Sequence, residues 1–369
     1  MRTWVAVLLV AMLAACATTD ERPRSSARPL TAEEGRALVA RLLPEGVADR
    51  TAWAVDIYAA IAALQIPATP ENICAAVGIT EQESGFRVDP PVPGLAAIAW
   101  KEIDKQRERM GIPKLVLTAA LAVPSSNGKS YAERIDAVKT ELQLSDIFDD
   151  LISRVPLGQR FLADRNPVRT GGPMQVSVSF AESHAAHKPY PYPMAGTIRH
   201  EVFTRRGGMY FGIAHLLDYL VDYDRYLYRF ADFNAGHYAS RNAGFQAAVT
   251  QVTGIPLALD GDLLRYDGAQ PSKEQGNTET ALRVLARRIG MSDADMHRDL
   301  EHEKEPDFVD TKLYRRVYAL AEEVSGRPMA RAVLPTIPLQ SPKITRKLTT
   351  DWFARRVQER YERCLARRA

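Results

Sequence analysis

The sequence predicts a mainly α-helical protein, and three observations support this fold class. Apolar residues recur three and four positions apart through most of the chain. Helix-starting residues such as Thr31 and Thr69 precede two of these segments. No segment shows the sustained alternation of apolar and polar residues that is typical of a half-buried strand. The 369 residues are 46% hydrophobic and 25% charged, which excludes a wholly disordered chain and a polytopic membrane protein.

Charge and cysteine content exclude further classes. The 48 basic and 45 acidic residues give a formal charge of +3, which is too close to balance for a dedicated nucleic-acid binder. Three cysteines cannot form a disulfide framework. We expect no cofactor and no metal, since His184 and His187 have no third ligand at a known spacing.

The first residues form a short apolar segment that follows a basic residue. Arg2 precedes an apolar run over residues 4–13, which is too brief to span a bilayer, because spanning takes about 20 apolar residues. The run leads into Leu13-Ala14-Ala15-Cys16, which resembles the lipobox of bacterial lipoproteins. This resemblance implies that residues 1–15 are a signal peptide and that lipidated Cys16 anchors the protein at the periplasmic face of the outer membrane. A plain signal peptide is the alternative.

Residues 16–30 predict a flexible tether, because they are polar, contain Pro and lack periodicity. The sequence Thr-Ala-Glu-Glu at residues 31–34 is a capping box that predicts the first helix, and apolar residues at helical spacing predict a second over residues 53–64. Further helices are predicted near residues 95–110, 129–154, 208–231, 240–253, 277–289, 309–324 and 346–366. Residues 346–369 carry eight basic and three acidic side chains, and we predict a solvated surface helix there, with contact to anionic glycan or lipid as the alternative.

Residues 69–86, TPENICAAVGITEQESGF, contain the best candidate for an active side chain. Thr69 and Pro70 predict the start of a helix, and Gly85 predicts its end. On this helix Glu83 shares a face with apolar residues, whereas Glu81 projects about 200° away. Partial burial and the negative end of the helix dipole both raise the expected pKa of Glu83, so that it could donate a proton near neutrality. An exposed glutamate without function is the alternative.

Four short motifs occur in order along the chain. They are QESGF at residues 82–86, GPMQV at 172–176, FNAG at 233–236 and DTKLY at 310–314. They resemble the Glu-Ser, Gly-Leu-Met-Gln-Val, Tyr-Asn-Ala-Gly and Glu-Thr-Arg-x-Tyr motifs of the soluble lytic transglycosylases. That family has the goose-type lysozyme core and cleaves peptidoglycan. Residues 208–220 resemble the helix that links the second and third motifs, whereas Pro173 and Phe233 depart from the family pattern.

The resemblance implies a role for each matching residue. Glu83 would protonate the leaving glycosidic oxygen and then deprotonate the C6 hydroxyl of the same muramic acid. Ser84 would orient the site, Met174 and Gln175 would form the wall facing the sugar, and Asn234 would hold the loop opposite. The product would carry a 1,6-anhydro-MurNAc end.

The fourth motif implies that Tyr314 forms a hydrogen bond near Glu83. The gap from Asn234 to Tyr314 is longer than usual in the family, and Tyr266 is therefore the substitute. Cys74 and Cys364 remain after lipidation, and the sequence leaves open whether they pair.

The implied organisation is a lysozyme-like catalytic domain over residues 31–326, with an insertion at about 87–169, completed by the helix at 309–324. Residues 327–369 would form a Pro-rich segment and the basic C-terminal helix. The expected activity is cleavage of the MurNAc-GlcNAc β-1,4 bond, and the expected partners are glycan strands and outer-membrane lipid, not nucleic acid. A hydrolase acting on the same bond and a non-catalytic peptidoglycan-binding lipoprotein are the alternatives.

Overall fold

The computed structural model describes residues 30–155, 160, 162, 165–267, 270–339 and 346–368. The predicted signal peptide, Cys16 and residues 17–29 of the tether lie outside the described residues. The fold is mainly α, as the sequence predicts. Within the described ranges, no helix has both the length and the apolar character needed to cross a bilayer.

The first half of the chain forms seven helices within its described residues: α1 (Ala32–Leu42), α2 (Arg50–Ala63), α3 (Pro70–Glu83), α4 (Leu95–Arg109), α5 (Lys114–Leu121), α6 (Tyr131–Asp136) and α7 (Glu141–Ser153). The later helices are α8 (Val178–His187), α9 (Ile198–Val202), α10 (Arg205–Leu217), α11 (Tyr226–Ala235), α12 (Ala239–Thr253), α13 (Asn277–Ile289), α14 (Asp293–Leu300), α15 (Lys312–Ser325) and α16 (Thr350–Ala366). Two short antiparallel pairs join β1 (Thr170–Gly171) to β2 (Val176–Ser177) and β3 (Tyr266–Asp267) to β4 (Gln270–Pro271).

The capping residues Thr31 and Thr69 predict the starts of α1 and α3 correctly. The Thr31 hydroxyl accepts a hydrogen bond from the Glu34 N–H at 3.2 Å, and Glu34 accepts one from the Thr31 N–H at 2.8 Å, which confirms the capping box. Thr69 caps α3, which ends at Glu83 as predicted. The single helix predicted over residues 208–231 is wrong, because α10 ends at Leu217 and α11 begins at Tyr226.

The first core joins α1, α2, α3, α10, α11 and α16. The prediction of a solvated C-terminal helix is wrong, because α16 buries Phe353, Val357 and Tyr361 in this core. Gly78 of α3 has no side chain, so α16 approaches it closely. The structure also resolves the open pairing, since Cys74 and Cys364 form a disulfide with Cα atoms 5.4 Å apart. The C-terminal helix therefore belongs to the same packed unit as α3.

Two smaller cores lie beside the first. The second core is built by α12, α13, α14 and α15, and its buried residues include Phe245, Leu282 and Tyr318. The third core lies inside the predicted insertion, where α4, α5, α6 and α7 pack around Tyr131. The helix at Lys312–Ser325, predicted to complete the lysozyme-like domain, packs in the second core and not in the core that holds α3.

Candidate functional site

Glu83 is the last residue of α3, and burial along this helix decides its setting. Residues 73–80 are all buried, whereas Glu83 is partly exposed. The structure therefore places Glu83 half-buried at the carboxyl end of the helix, as predicted, together with its neighbours Glu81 and Gln82. Ser84 caps this end: both its N–H and its hydroxyl donate to the Thr80 carbonyl oxygen at 3.1 Å.

The chain reverses direction immediately after Glu83. Gly85 and Phe86 both have positive φ, at 57° and 62°, and this conformation costs a residue other than Gly about 1–3 kcal/mol. The Phe86 ring is nevertheless buried and meets the Trp53 ring edge to face, with centroids 5.3 Å apart. Packing on α2 therefore holds the strained turn that follows Glu83.

Glu81 has a different environment from Glu83. One of its carboxylate oxygens lies 3.0 Å from a guanidinium nitrogen of Arg363 and 3.8 Å from one of Arg360. Both arginines belong to α16, so Glu81 is held in contacts between the two helices. Glu81 is thus half-buried like Glu83, so the contrast in burial that the helical phase predicts for these two glutamates is wrong.

The second motif forms the turn between β1 and β2 and packs tightly on α10. A Cβ atom at Gly172, where φ is 72°, would lie 2.0 Å from the Val202 carbonyl oxygen, so only glycine fits there. Met174 is fully buried, and a Cβ at Gly212 would lie 2.5 Å from its sulfur. The predicted role of Met174 in a wall facing the sugar is therefore wrong, because this side chain fills the core beneath the turn.

Gln175 occupies the exposed side of the same turn. Its φ is 50°, and it is only partly buried. Its side-chain amide donates to the Gly172 carbonyl oxygen at 3.3 Å and accepts from the Thr170 hydroxyl at 3.4 Å. The side chain that remains available to a ligand in this motif is therefore Gln175.

Asn234 lies near the end of α11 and is exposed. Its side-chain oxygen accepts a hydrogen bond from the Thr350 hydroxyl at 3.3 Å, at the first residue of α16. Two histidines hold the chain around it. His215 Nε2 lies 3.2 Å from the Phe233 carbonyl oxygen, and His237 Nε2 lies 2.7 Å from the His215 carbonyl oxygen. The third motif is therefore fixed from both sides.

The two histidines stay neutral because of where they lie. Burial, with His237 as a lesser cause, lowers the pKa of His215 to about 3. Burial also lowers the pKa of His237. Beneath them the buried Asp232 carboxylate accepts hydrogen bonds from the N–H groups of Tyr238 and Ser240, at 3.1 and 2.7 Å. This carboxylate fixes the chain between α11 and α12.

Helix direction brings Glu83 and Asn234 to one end of the first core. Cys74 of α3 is joined to Cys364 near the end of α16, and Gly78 packs on Val357, so the two helices run antiparallel. The end of α3 that carries Glu83 therefore points toward the start of α16, where Thr350 binds Asn234. The first and third motifs therefore lie toward the same end of the core, through α3 and α11.

The α10 helix links the Gln175 turn to α3. Met209 of α10 contacts the Thr80 hydroxyl through its sulfur at 3.7 Å. One turn further along α10, Gly212 packs on Met174. The turn that carries Gln175 is thereby attached to the helix face that supports Glu83.

Neither candidate tyrosine lies in this core. Tyr314 is buried in the second core, with its ring 4.6 Å from that of Tyr318 and 5.8 Å from that of Phe245. The expected position of Tyr314 beside Glu83 is therefore wrong. Tyr266 lies in β3, also against the second core, where Lys304 Nζ sits 3.3 Å from the centre of its ring.

The histidines considered as metal ligands have other partners. His184 Nε2 lies 3.2 Å from an Asp218 carboxylate oxygen, and His187 Nδ1 lies 2.8 Å from the Ser183 carbonyl oxygen. Among the described residues, no group of three or more His, Cys, Asp or Glu side chains is placed to hold a metal ion.

Comparison with known proteins identifies a family. Residues 46–367 match the family described as "Protein of unknown function (DUF1615)". The chain belongs to this family. It is 51% identical over 361 residues to a relative from Escherichia coli (strain K12) named "Uncharacterized protein YaiW", with 98% of this chain and 97% of the relative covered. No solved structure matches the chain. The DUF1615 match includes α3, α11 and α16, the helices that position Glu83 and Asn234.

Sequence reasoning missed two contributions to this site. The first is the burial of α16. Its apolar residues Phe353, Val357 and Tyr361 recur every four positions, and this spacing indicates a buried face. The second is the pair His215 and His237. Their separation of 22 positions gave no indication that they stack with ring centroids 4.6 Å apart.

Proposed function

We propose that this protein is a membrane-anchored lytic transglycosylase with a lysozyme-like first core. The observation that carries the proposal is that Glu83, Gln175 and Asn234 all lie on segments packed in the first core: α3, the β1–β2 turn on α10, and α11. These residues come from the three motifs that resemble the transglycosylase family. Glu83 would be the acid and base, with Ser84 capping the helix behind it.

Half-burial suits a carboxyl that must act as an acid and then as a base. A general acid works best when its pKa lies near the operating pH. Glu83 is half-buried at the carboxyl end of α3. The proton it gives to the glycosidic oxygen would be replaced by the proton of the C6 hydroxyl, whose oxygen closes on C1 of the same sugar. No water is consumed in this sequence.

Product analysis tests the proposal directly. Purified protein covering residues 17–369 is incubated with isolated sacculi, and the released ends are identified by mass spectrometry. We expect 1,6-anhydro-MurNAc ends. Reducing ends would instead support a hydrolase that uses the same site, and intact sacculi with bound protein would support a non-catalytic peptidoglycan-binding lipoprotein.

The membrane anchor needs its own test. Three acyl chains on Cys16 would anchor the protein firmly, whereas one chain binds a membrane only reversibly. We expect Cys16→Ser to release the protein from the outer-membrane fraction or to block its maturation. A Cys16→Ser protein that still sediments with membranes after a high-salt wash would contradict the anchor and would direct attention to the arginines of α16.

A further inference from the structure

A polar cavity of about 500 Å³ opens on the second core, on helices that do not carry Glu83 or Asn234. This volume lies within the range of about 300–1,000 Å³ that small-molecule sites occupy. Its walls come from the chain after α12, the first turn of α13 and the turn after α14. The charged residues of the lining are Asp260, Asp262, Arg265 and Lys304. The cavity therefore presents both signs of charge.

Buried polar side chains hold the loop that forms one wall. Gln246 is almost completely buried, and its amide nitrogen donates to the Asp260 carboxylate at 2.7 Å. Its amide oxygen accepts from the Gly261 N–H at 2.9 Å. Gly261 has a φ of 84°, and a Cβ there would lie 2.7 Å from the Ala239 carbonyl oxygen. The wall is thus fixed before any ligand arrives.

Glu303 supports the same wall from inside the protein. It is fully buried, and one of its oxygens accepts from the N–H groups of Leu263 and Leu264, at 2.6 and 3.1 Å. Its other oxygen, Oε1, is buried and has no hydrogen-bond partner in the described part of the chain. Burial raises the pKa of Glu303, and the nearby Tyr266 phenol, which lines the cavity, lowers it less. Burying such a polar network has a cost, so its presence behind a surface cavity favours a binding role.

The first turn of α13 supplies the positive end of the cavity. Gly276, Asn277 and Thr278 line it, and Gly276 at the N-cap provides no side-chain cap. The N–H groups at the start of this 13-residue helix are therefore available to an anion, and the helix dipole favours one. Lys304 adds positive charge to the same lining, whereas the Arg265 guanidinium is ion-paired with Glu274 at 2.5 Å.

The negatively charged part of the cavity, at Asp260 and Asp262, lies close to the first turn of α13. The Gln246 amide nitrogen that contacts the Asp260 carboxylate also contacts the Thr278 hydroxyl, at 3.2 Å. The Gln246 amide nitrogen therefore bridges the Asp260 carboxylate and the first turn of α13. Desolvation, and then the neighbouring Asp260, raise the pKa of Asp262, while the Lys304 ammonium lowers it to a lesser degree. A ligand cation between these two carboxyl groups would relieve their repulsion.

We propose that this cavity binds the zwitterionic head group of an α-amino acid. The ammonium group would lie at Asp260 and Asp262, and the carboxylate would accept hydrogen bonds from the first turn of α13. An α-amino acid carries both charges on one carbon, which matches the short separation of the two ends. A neutral sugar would use neither charge, and Lys304 covers one face of Tyr266, the aromatic ring in the lining. This inference does not depend on the proposed transglycosylase activity.

Binding of alanine, lysine and glutamate to the full chain can be measured by calorimetry. Propionate and ethylamine, which lack the ammonium group and the carboxylate of alanine, serve as matched compounds. We expect saturable binding of at least one α-amino acid. We expect alanine to bind about tenfold more tightly than either matched compound, because each lacks one charge-assisted contact. Absence of saturable binding at millimolar concentrations, or equal binding of propionate and alanine, overturns the proposal.

Two variants separate binding from folding. Gly276→Asp places a carboxylate where the ligand carboxylate would lie, and its Cβ fits, since the nearest atom is 3.4 Å away. Because Asp is also a good N-cap, we expect the melting temperature to stay or rise while amino-acid binding is lost. Asp262→Asn should weaken binding about tenfold. Asp267→Asn, an exposed position outside the lining, is the matched control and should bind normally. Unchanged binding in both Gly276→Asp and Asp262→Asn overturns the proposal.

Discussion

The first and second cores fix their exposed residues by different means. In the first core, the turns after Glu83 and around Gln175 are held by apolar packing and by close contacts at Gly172 and Gly212, and a disulfide joins α3 to α16. In the second core, the loop at residues 260–264 is held by the buried polar side chains of Gln246 and Glu303. Different groups hold the two regions, so we expect their responses to mutation to be nearly independent.

The largest expected effect is the loss of catalysis when the Glu83 carboxyl is removed. Glu83→Gln is nearly isosteric but cannot deliver a proton, so we expect sacculus cleavage to fall by about 10²–10⁴-fold with the melting temperature preserved. Anhydro-end release over time is the measurement.

Glu81→Gln is the matched control on the same helix. Its contacts with Arg360 and Arg363 are partly exposed, so we expect a stability loss of about 1 kcal/mol or less and normal cleavage. An equal loss of activity in both variants would contradict Glu83 as the single acid.

The next effect concerns the disulfide of the first core. It joins residues 290 positions apart, and removing a native disulfide typically costs about 2–5 kcal/mol. We expect the double variant Cys74→Ala, Cys364→Ala to melt at a lower temperature. The wild-type protein in reductant should melt close to the double variant, and no shift in either case would show that packing alone fixes α16.

A smaller effect should appear in the pH dependence of stability. The folded pKa of His215, about 3, lies below its ordinary value of 6.5. The unfolded chain therefore takes up a proton as the pH falls below 6.5, while the folded protein does not until about pH 3. Between these values this residue should reduce the free energy of unfolding by up to about 1.4 kcal/mol per pH unit.

The His215→Gln variant checks this expectation, because glutamine does not titrate. Unfolding free energies measured in denaturant from pH 7 to pH 4 should fall less steeply in the variant than in the wild type. Parallel slopes would mean that His215 takes up a proton equally in the folded and the unfolded protein, and the loop around Asn234 would then need another support.

The smallest expected effect is on turnover in Tyr314→Phe. The family resemblance gives this tyrosine a place beside Glu83, but its neighbours in the second core are Phe245, Phe308 and Tyr318. We expect sacculus cleavage to change by less than about twofold, since the hydroxyl does not reach the reacting atoms. A selective fall in turnover, with an unchanged Michaelis constant, would show that the two cores are coupled.

The sequence by itself determined the features that depend on neighbours along the chain. Thr31 and Thr69 start helices because their hydroxyls accept hydrogen bonds from the backbone N–H groups three positions ahead. The direction in which each side chain of α3 points then follows from the 3.6 residues per turn of an α-helix. Half-burial of Glu83 does not follow from the helical phase, because Glu81 and Gln82 on other faces of α3 are half-buried as well. Local chemistry also sets the end of α3, where Gly85 adopts a positive φ.

Only the tertiary structure decided which helices meet. The basic residues of α16 suggested a solvated helix, yet its apolar stripe packs on α3, because burying Phe353, Val357 and Tyr361 removes more apolar surface from water than a solvated helix would. Met174 was expected at a surface, and tight packing against Gly212 buries it. The positions of Tyr314 and of the cavity beside Gln246 likewise depend on contacts between distant segments, which no local pattern encodes.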